Sequence, residues 1–356
     1  MTVVHHPGDA RIAHRQIPAL LAAGHSVTYA APFGAYGVTP PADVRPLDLP
    51  RAQGRSRLAA MRAARALVRA EAPAHDVVLL HDPELLLAVP RSLDTPVVWD
   101  VHEDTAAAVT LKSWLPAAVR PAAASGVRRL ERRAERRVGI LLAEEGYADR
   151  FAHDHPVVPN TTEVPAVVPE PGTDRVVYLG ALTRARGALE MLELGRRLRG
   201  EVTVELLGPA AADIADQVRR AHEAGDVIAH GFVANDEAVR LLDGALAGLS
   251  LLHDEPNYRH SRPTKIIEYM AHGIPVITTP LPIAREIVED AGSGTVVPFG
   301  DLDAVVDEVR ALRTDQARRR ALGAAGHAVA LERYDWRTQG AAFVAALGAA
   351  ASGGRR

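Results

Sequence analysis

Lysine is scarce in this sequence, and one of its two lysines stands in the chain's most distinctive segment. Of the 41 basic residues only Lys112 and Lys265 are lysine. Glu268 follows Lys265 by three residues and His272 comes four residues later, so a helix places the three side chains on one face. Pro263 favours a helix start just before Lys265, where free N–H groups and the helix dipole attract an anion.

This arrangement suits a nucleoside diphosphate. The helix amides and Lys265 would hold the diphosphate, and Glu268 would accept both ribose hydroxyls. The competing interpretation is a surface helix with a solvated Lys265–Glu268 pair. Because a solvated position would accept arginine, the rarity of lysine favours the binding site.

Two histidine-containing acidic motifs follow predicted strands in the first half of the chain. They are His81-Asp-Pro-Glu84 and Asp100-Val-His-Glu-Asp104. In open α/β sheets, ligands bind beyond the carboxyl ends of the strands. His81, His102 and Glu103 are therefore candidates for a substrate site, and a satisfied loop histidine is the alternative for His81 and for His102.

Other polar residues of the first half carry weaker signals. Asp9 and Arg11, in the predicted first βα loop, either bind an acceptor or cap the following helix. Lys112 either contacts an anionic acceptor or is a mobile loop lysine. His5 and His6 end a predicted strand at Val3–Val4, but no carboxylate partner in register supports a site there.

The elements that must position these residues alternate between short apolar strands and helices. This alternation predicts βαβ units and parallel sheets, hence an α/β fold. A proline-rich stretch interrupts the pattern once, which predicts two Rossmann-like domains. The predicted boundaries are 1–158 for the first domain, 159–172 for an extended linker, 173–335 for the second domain and 336–356 for a final helix.

Composition narrows the class of protein. A length of 356 residues exceeds one usual core, and 47% apolar residues can fill two. The absence of cysteine excludes disulfides and thiolate chemistry and fits a reducing compartment. A net charge of −3 argues against nucleic-acid partners. No apolar run reaches 18 residues, so we expect a cytoplasmic protein.

Two charged segments have simple explanations. The arginine cluster within 128–137 predicts the solvated face of a helix, with peripheral contact to the inner face of an anionic membrane as the alternative. Asp301-Leu-Asp303 has the pattern of a metal-binding pair, but it follows Gly300 directly before a predicted helix. We therefore predict that Asp301 is an N-cap.

Several segments, in order, resemble those of one family. Lys265–Ile277 resembles the donor-binding signature of retaining family-4 glycosyltransferases with the GT-B fold. Tyr178–Gly187 resembles the glycine-rich strand and loop that open the donor domain of that family, and Val158–Asn160 resembles its domain crossing. Trp99–Glu103 resembles the strand end of its acceptor domain, and Arg285–Val288 the helix start after its last donor-site loop.

The resemblance implies a fold and a set of roles. The fold would be GT-B, with two Rossmann-like domains facing a central cleft and the C-terminal helix crossing back to the first domain. The implied donor-binding residues are Gly180, Arg186, Phe232, Thr264, Lys265 and Glu268. His102 matches the family histidine that approaches the transferred sugar, and the implied acceptor-side residues are Asp9, Arg11, His81, Glu103 and Lys112.

The sequence departs from the family pattern at two positions. His260 stands where the family has a glutamate that contacts the sugar, and Ala181 stands where the family often has an arginine. Arg186 can still bind a diphosphate oxygen bidentately. We expect Lys265 to supply the cation that is absent at Ala181, and His260 to be an uncertain sugar contact.

The implied function is retaining transfer of a hexosyl unit from a nucleoside-diphosphate sugar, UDP-sugar by default, to a hydroxyl acceptor. No metal and no tightly bound cofactor is expected, and the oligomeric state is not fixed by the sequence. An epimerase or phosphorylase on the same fold, a glycoside hydrolase and a non-catalytic nucleotide-sugar binding protein remain alternatives.

Overall fold

The computed structural model describes residues 1–102, 104–106 and 116–353. Two of the candidate site residues, Glu103 and Lys112, lie outside these described residues. The other candidates all fall within them.

The chain forms two compact units. Unit 1 comprises Met1–Asn160 together with Arg337–Arg356, and unit 2 comprises Thr161–Trp336. Each unit has its own hydrophobic core. The final helix of the described chain therefore belongs, from Arg337 onward, to the same unit as the N-terminal half.

The strands are short and mostly buried, as parallel strands covered on both faces must be. In chain order they are β1 (Thr28–Ala31), β2 (Arg45–Asp48), β3 (Val78–Leu80), β4 (Val97–Val101), β5 (Gly139–Leu142), β6 (Arg175–Leu179), β7 (Thr203–Leu207), β8 (Val227–Gly231), β9 (Ala247–Ser250), β10 (Val276–Thr278) and β11 (Gly294–Val296).

Helices alternate with these strands. They are α1 (Ile17–Ala22), α2 (Phe33–Tyr36), α3 (Arg57–Glu71), α4 (Arg120–Ala134), α5 (Ala188–Arg197), α6 (Ala215–Glu223), α7 (Asn235–Arg240), α8 (Thr264–Ala271), α9 (Pro282–Ala291), α10 (Leu302–Thr314), α11 (Gln316–Arg333) and α12 (Trp336–Gly353). A π-helical turn, Ile12–Gln16, leads into α1. Among the described helices, none combines the length and apolar character that a membrane crossing needs.

Unit 2 is built on one six-stranded parallel sheet in the order β11-β10-β9-β6-β7-β8. The chain builds outward from β6 through β7 to β8, then returns to start again at β9. Strand order therefore reverses between β6 and β9, and such a switch point is where ligands bind in doubly wound sheets. The sheet thus identifies the place in unit 2 where site residues are expected.

The hydroxyl of Tyr269, on α8, bridges the two strands at this switch point. β6 and β9 pair only at Val176 and Val177. Beyond that, the Leu179 N–H donates to the Tyr269 hydroxyl (2.9 Å), which in turn donates to the Leu249 carbonyl (3.0 Å). The bridge satisfies two buried backbone groups and fixes α8 across the split.

Unit 1 contains a two-stranded sheet, β1-β2, and a three-stranded sheet, β3-β4-β5, all with parallel pairing. The first residues of the chain join them. The Thr2 N–H donates to the Ala30 carbonyl of β1, and the Met1 nitrogen donates to the Leu79 carbonyl of β3 (2.7 Å). Unit 1 is therefore one parallel layer with an irregular segment in its middle.

The predicted strand at Val3–Val4 is wrong: this segment bends. The carboxylate of Asp82 accepts hydrogen bonds from the backbone N–H groups of Val3 and Val4 and from the Thr2 hydroxyl. Those N–H groups are then unavailable to a neighbouring strand, so the side chain ends the pairing early.

The proline-rich segment 159–172, for which we expect an extended linker, packs largely on unit 2. Val164 is buried in a core of that unit, and the Gly172 N–H donates to the Gly244 carbonyl (3.0 Å). Proline removes donors but leaves carbonyls and apolar surface that can still pack. Structurally, the predicted linker is part of a folded unit from Thr161 onward.

The Tyr269 bridge yields a stability prediction. Tyr269→Phe leaves the buried Leu179 N–H and the Leu249 carbonyl without the hydroxyl, so we expect a loss of about 1–3 kcal/mol in the free energy of unfolding of unit 2. Chemical denaturation measures the loss. The control is Tyr29→Phe, which removes only one bond to the Pro7 carbonyl (2.9 Å) and should cost about 1 kcal/mol. Equal losses in both variants would contradict the bridging role.

Candidate functional site

Lys265 is the central cation of the switch point in unit 2. It lies in the first turn of α8 and is only 8% exposed. Its Nζ stands 4.7 Å from the centre of the Tyr178 ring, at the end of β6. Burial, reinforced by the positive charge of Arg186, lowers the pKa of Lys265 to about 7, against the opposing effect of Glu268. A solvated Lys265–Glu268 pair is therefore wrong, since both side chains are buried.

Arg186 is the second cation of this site and is held by two tyrosines. Its guanidinium hydrogen-bonds the side chains of Tyr178 and Tyr258. The sequence patterns predicted no role for either tyrosine, although Tyr178 begins the glycine-rich strand and loop that resembles the family's donor domain. Neutral hydroxyls orient the guanidinium without cancelling its charge, so the charge remains available to an anion.

Glycine keeps the space between the two cations open. Gly180, directly after β6, has a φ of +127°, a conformation that side chains disfavour. A Cβ there would lie 3.7 Å from a terminal nitrogen of Arg186 and 3.7 Å from the Lys265 Cε. Gly208 approaches so closely that its Cβ would stand 2.1 Å from the Gly180 carbonyl oxygen. The loop after β6 thus lies open beside the start of α8.

The remaining predicted donor residues have different surroundings. Glu268 is buried one turn deeper in α8, and Thr264 is the first residue of that helix. Phe232 follows β8 and is 65% exposed, and His260 is also exposed. His272 turns away from the cations, because its Nδ1 lies 2.7 Å from the Asp243 carboxylate.

In unit 1, the buried carboxylate of Asp100 organises the end of β4. Arg11 donates to both of its oxygens from Nε and a terminal nitrogen (2.8 Å each), and Gln16 donates to one of them (2.8 Å). Arg11 also donates to the Val158 carbonyl (3.1 Å). Burial alone would raise the pKa of Asp100, but Arg11 and the neighbouring histidines hold that pKa well below its usual range.

Arg11 and Asp9 therefore differ from the acceptor-binding pair that the resemblance implies. Arg11 is 2% exposed and donates to both carboxylate oxygens of Asp100, so it positions the site from within. Asp9 accepts hydrogen bonds from the N–H groups of Arg11 (3.0 Å) and Ile12 (3.2 Å). Of the two interpretations left open for Asp9, the structure shows helix capping.

His102 lies within a chain of polar side chains. Its Nδ1 is 3.2 Å from the Asp100 carbonyl oxygen, and its Nε2 is 3.0 Å from His5 Nε2, which in turn is 3.3 Å from Asp82. Two carboxylates thus flank two facing imidazoles. Burial lowers the pKa of His102, but the hydrogen bond and charge of Asp100 outweigh it and raise that pKa above its ordinary value.

His5 and His81 complete this cluster. We expected no partner for His5, and that expectation is wrong, because Asp82 and His102 both contact it. His81 Nδ1 lies 3.3 Å from Asp100. Burial lowers the pKa of His81 to about 3, despite Asp100, so His81 is a neutral imidazole at physiological pH. The sequence signal for the cluster was the pair of acidic histidine motifs at adjacent strand ends.

Within the described chain, His81, Asp100 and His102 have the ligand types and spacing that could hold a metal ion. The oxygens of Asp100, however, already accept three N–H groups from Arg11 and Gln16. A metal would compete with these donors for the same carboxylate, so this geometry favours an imidazole-positioning network. Asp301, by contrast, is the N-cap predicted above, because its carboxylate accepts from the Ala304 N–H (2.9 Å).

Comparison with known proteins finds a family resemblance in unit 2. The profile of the family described as "Glycosyl transferases group 1" matches residues 173–315. This part of unit 2 is therefore similar to the group 1 glycosyl transferases. The matched range contains Gly180, Arg186, Lys265 and Glu268, hence the switch-point residues of unit 2.

Two curated mycobacterial proteins are similar to short segments of this chain. A GDP-mannose-dependent alpha-(1-6)-phosphatidylinositol monomannoside mannosyltransferase of Mycolicibacterium smegmatis is 41% identical over 75 residues, 21% of this chain and 20% of that protein. A phosphatidyl-myo-inositol mannosyltransferase of Mycobacterium leprae is 40% identical over 72 residues, 20% of this chain. The chain thus aligns with about a fifth of the length of each relative (20% and 19%).

Solved structures show that the whole chain has the GT-B fold. A sucrose-phosphate synthase from Thermosynechococcus elongatus superposes with a TM-score of 0.73 at 16% identity, covering 96% of each chain. Anabaena HepE in complex with UDP superposes with a TM-score of 0.71 at 14% identity, covering 98% of each chain. At these identities the likeness concerns the fold.

The Asp100 network yields a second prediction. Asp100→Asn removes the charge that balances buried Arg11, so we expect a loss of about 3–5 kcal/mol in the free energy of unfolding. The pKa of His102 should also fall, because the carboxylate that raises it is gone. Denaturation and an NMR titration of the imidazole measure the two effects. Asp94→Asn, at an exposed position, should change stability by less than about 0.5 kcal/mol. An unchanged His102 pKa in Asp100→Asn would refute the network.

Proposed function

We propose that the protein transfers a hexosyl unit from a nucleoside-diphosphate sugar to a hydroxyl acceptor, with retention of configuration and without a metal ion. One observation carries the proposal: Lys265 and Arg186 stand together at the switch point of unit 2, where burial and their mutual repulsion disfavour the charge on Lys265. The negative charge of a diphosphate beside the start of α8 would stabilise the charged form of Lys265 and offset its repulsion by Arg186. Within the described chain, the carboxylate of Glu268 opposes these two effects on Lys265 only in part.

The donor would lie across the switch point. In this proposal the diphosphate binds Lys265, Arg186 and the backbone N–H groups at Thr264, in the space that Gly180 leaves open. Glu268, one turn deeper, accepts the ribose hydroxyls. In the same proposal, exposed Phe232 flanks the base, and His260 is the candidate contact to the sugar.

The proposed reaction exchanges one bond at the anomeric carbon for another. The bond from that carbon to the β-phosphate oxygen breaks, and the acceptor oxygen bonds to the same carbon on the same face. The acceptor proton leaves with the nucleoside diphosphate or passes to water. Negative charge grows on the departing phosphate, so Lys265 and Arg186 would stabilise the transition state more than the ground state.

Unit 1 would contribute His102 and the acceptor-side residues. Asp100 holds the Nδ1 side of His102, which favours a role in orienting sugar hydroxyls over a role as nucleophile. His81 and Asp9 line the same cluster. Glu103 and Lys112, outside the described residues, remain acceptor-side candidates from the sequence.

The nucleotide and acceptor classes follow from the relatives only as proposals. UDP is the first nucleotide to test, because HepE was solved with UDP and with UDP-glucose. GDP is the second, because a curated relative is GDP-mannose-dependent. The curated relatives act on phosphatidylinositol compounds, so a lipid-linked hydroxyl acceptor is the first acceptor class to test. Peripheral membrane contact would suit such an acceptor, and the exposed arginines of α4 (Arg129, Arg132 and Arg133) offer a basic face.

A thermal-shift panel of UDP, GDP, ADP, dTDP and their sugars tests donor binding. A nucleotide at a hundred times its dissociation constant should stabilise the protein by about 2.7 kcal/mol. Lys265→Ala should weaken binding at least about tenfold, since a charge-assisted contact to phosphate contributes about 1.5–3 kcal/mol. The matched control is Arg184→Ala, in the same loop as Arg186 but exposed and paired with Asp213. If no nucleotide shifts the melting temperature, the proposal fails.

The same titrations have an expected pH dependence. Free Lys265 has a pKa of about 7, and a bound diphosphate would raise it, so binding should take up a proton. Affinity should then weaken by roughly tenfold between pH 6 and pH 8, because the free lysine loses its proton over that range. Lys265→Arg keeps its charge at both pH values and should remove this part of the dependence. Equal pH profiles for the two proteins would contradict the role of Lys265.

Catalysis is tested separately from binding through His102. We expect His102→Ala to lower transfer or donor hydrolysis by a factor of about 10²–10⁴ while nucleotide affinity stays unchanged, since His102 lies in unit 1 and the donor site in unit 2. His153→Ala, an exposed histidine of unit 1 outside the cluster motifs, is the control for general damage. No turnover by the wild-type chain with any bound sugar nucleotide would favour the non-catalytic binding protein.

A further inference from the structure

Tyr178 contacts both cations at the switch point of unit 2. The centre of its ring lies 4.7 Å from Lys265 Nζ, and its hydroxyl is hydrogen-bonded to the guanidinium of Arg186. Arg186 belongs to the loop after β6, whereas Lys265 belongs to the first turn of α8. One side chain therefore links two cations that come from separate elements of the fold.

The position and the charge of Tyr178 are both fixed. Its side chain is fully buried, and its backbone pairs with Leu206 inside the sheet. Its hydroxyl donates to the Ala181 carbonyl (3.0 Å), so the hydroxyl oxygen is left to accept from Arg186. Burial raises the pKa of Tyr178 to about 12, although Arg186 opposes the shift, and the phenol stays neutral at physiological pH. Tyr178 is therefore a rigid link that leaves both positive charges intact.

The hydroxyl of Tyr178 keeps Arg186 close to Lys265 against their repulsion. Gly180 lies beside all three side chains. A Cβ built there would lie 3.6 Å from the Tyr178 hydroxyl oxygen, 3.7 Å from a terminal nitrogen of Arg186 and 3.7 Å from Lys265 Cε. Like charges repel, and Arg186 adds to the effect of burial in lowering the pKa of Lys265. Without an anchor, the flexible guanidinium would move away from the lysine.

A fixed pair of cations favours a ligand with two adjacent anionic groups. A diphosphate has two such groups at a fixed separation, so it can meet Lys265 and Arg186 at the same time. A single phosphate needs only Lys265 and the N–H groups at the start of α8. Holding Arg186 in place before binding lowers the cost of ordering it, and this gain goes only to a ligand that reaches both cations.

We propose that Tyr178 is a positioning residue: it sets the separation of Lys265 and Arg186 and thereby makes unit 2 selective for nucleoside diphosphates over nucleoside monophosphates. The inference rests on the proposed function, because it concerns the same donor site. The Tyr178 ring holds Lys265 through a cation–π contact, and the hydroxyl acts through Arg186. A sugar joined to its nucleoside through one phosphate is accordingly a poor ligand.

Isothermal calorimetry with UDP, UMP, GDP and GMP tests the selectivity. Tyr178→Phe keeps the ring beside Lys265 and removes the hydroxyl that holds Arg186. For the base that binds better, the affinity for the diphosphate should fall about tenfold, the size of one hydrogen bond to a charged group. The affinity for the matching monophosphate should fall by less than about threefold, because that ligand does not need Arg186. The matched control is Tyr29→Phe in unit 1, which also loses one buried hydroxyl and should change neither affinity.

A second pair of variants tests whether Tyr178 acts through Arg186. Arg186→Gln alone should reduce the preference for diphosphate over monophosphate at least as much as Tyr178→Phe does. In the Arg186→Gln protein, the further change Tyr178→Phe should alter that preference by less than about twofold, because the group that the hydroxyl positions is already gone. Independent, additive losses from the two changes would contradict a positioning role.

The contact with Lys265 can be tested without a nucleotide. Only Lys112 and Lys265 are lysine, so selective labelling of lysine yields two sets of side-chain NMR signals, and Lys112→Arg assigns them. The ring of Tyr178 should shift the Lys265 Cε proton signals away from the position of a free lysine. This shift should persist in Tyr178→Phe, which retains a ring, and disappear in Tyr178→Leu.

The outcomes separate this inference from the proposed function. If neither UDP nor GDP binds the unaltered chain, the proposed function fails, and the selectivity fails with it. If one of them binds and Tyr178→Phe weakens diphosphate and monophosphate equally, or weakens neither, only the role of Tyr178 is overturned. An unchanged Lys265 signal in folded Tyr178→Leu also overturns it. Should Tyr178→Leu not fold, the calorimetry of Tyr178→Phe still decides, since that variant retains the buried ring.

Discussion

Every backbone group that a parallel strand leaves unpaired inside a covered sheet must find another partner, and this constraint shapes both units. In unit 2 the Tyr269 hydroxyl bridges the strands β6 and β9 where they separate, and it thereby fixes the position of α8 with Lys265 and Glu268. The Thr279 hydroxyl likewise donates to the Leu252 carbonyl (2.6 Å). In unit 1 the Asp82 carboxylate takes the N–H groups of the first residues and sets the bend that brings His5 to His102.

The two polar clusters, around Asp100 and around Lys265, differ in how completely their buried charge is balanced. Around Asp100, donors from Arg11 and Gln16 and the nearby imidazoles satisfy a buried carboxylate from within the unit, so the cluster is a fixed frame for His102. Around Lys265, two cations lie beside tyrosine side chains and one carboxylate, that of Glu268, so the positive charge is only partly balanced. The Asp100 cluster can therefore keep its geometry without a substrate, whereas the excess positive charge around Lys265 favours the binding of an anion.

Local sequence patterns predicted much of this arrangement, whereas contacts between residues that are distant in sequence determine the rest. The predicted helix from Thr264 to His272 corresponds to α8, which ends one residue earlier, at Ala271. Asp301 caps the following helix, as its position after Gly300 predicts. The bend at Val3–Val4, the packed proline-rich segment and the partnership of His5 were not foreseeable, because each depends on a side chain or carbonyl from a distant part of the sequence. The ion pair of Arg11 was not foreseeable for the same reason, because its partner, Asp100, is 89 residues away.

The division of the chain has a consequence for synthesis. Unit 2 is one continuous stretch, whereas unit 1 is assembled from a first stretch and the segment from Arg337 onward, with unit 2 between them. Domains generally fold as units while the chain emerges. Unit 2 can therefore fold on the ribosome before unit 1 is complete, whereas unit 1 must wait for α12, whose Phe343 and Leu347 are buried in the folded chain. A nascent chain that ends before α12 would combine a folded unit 2 with an incomplete, protease-sensitive unit 1.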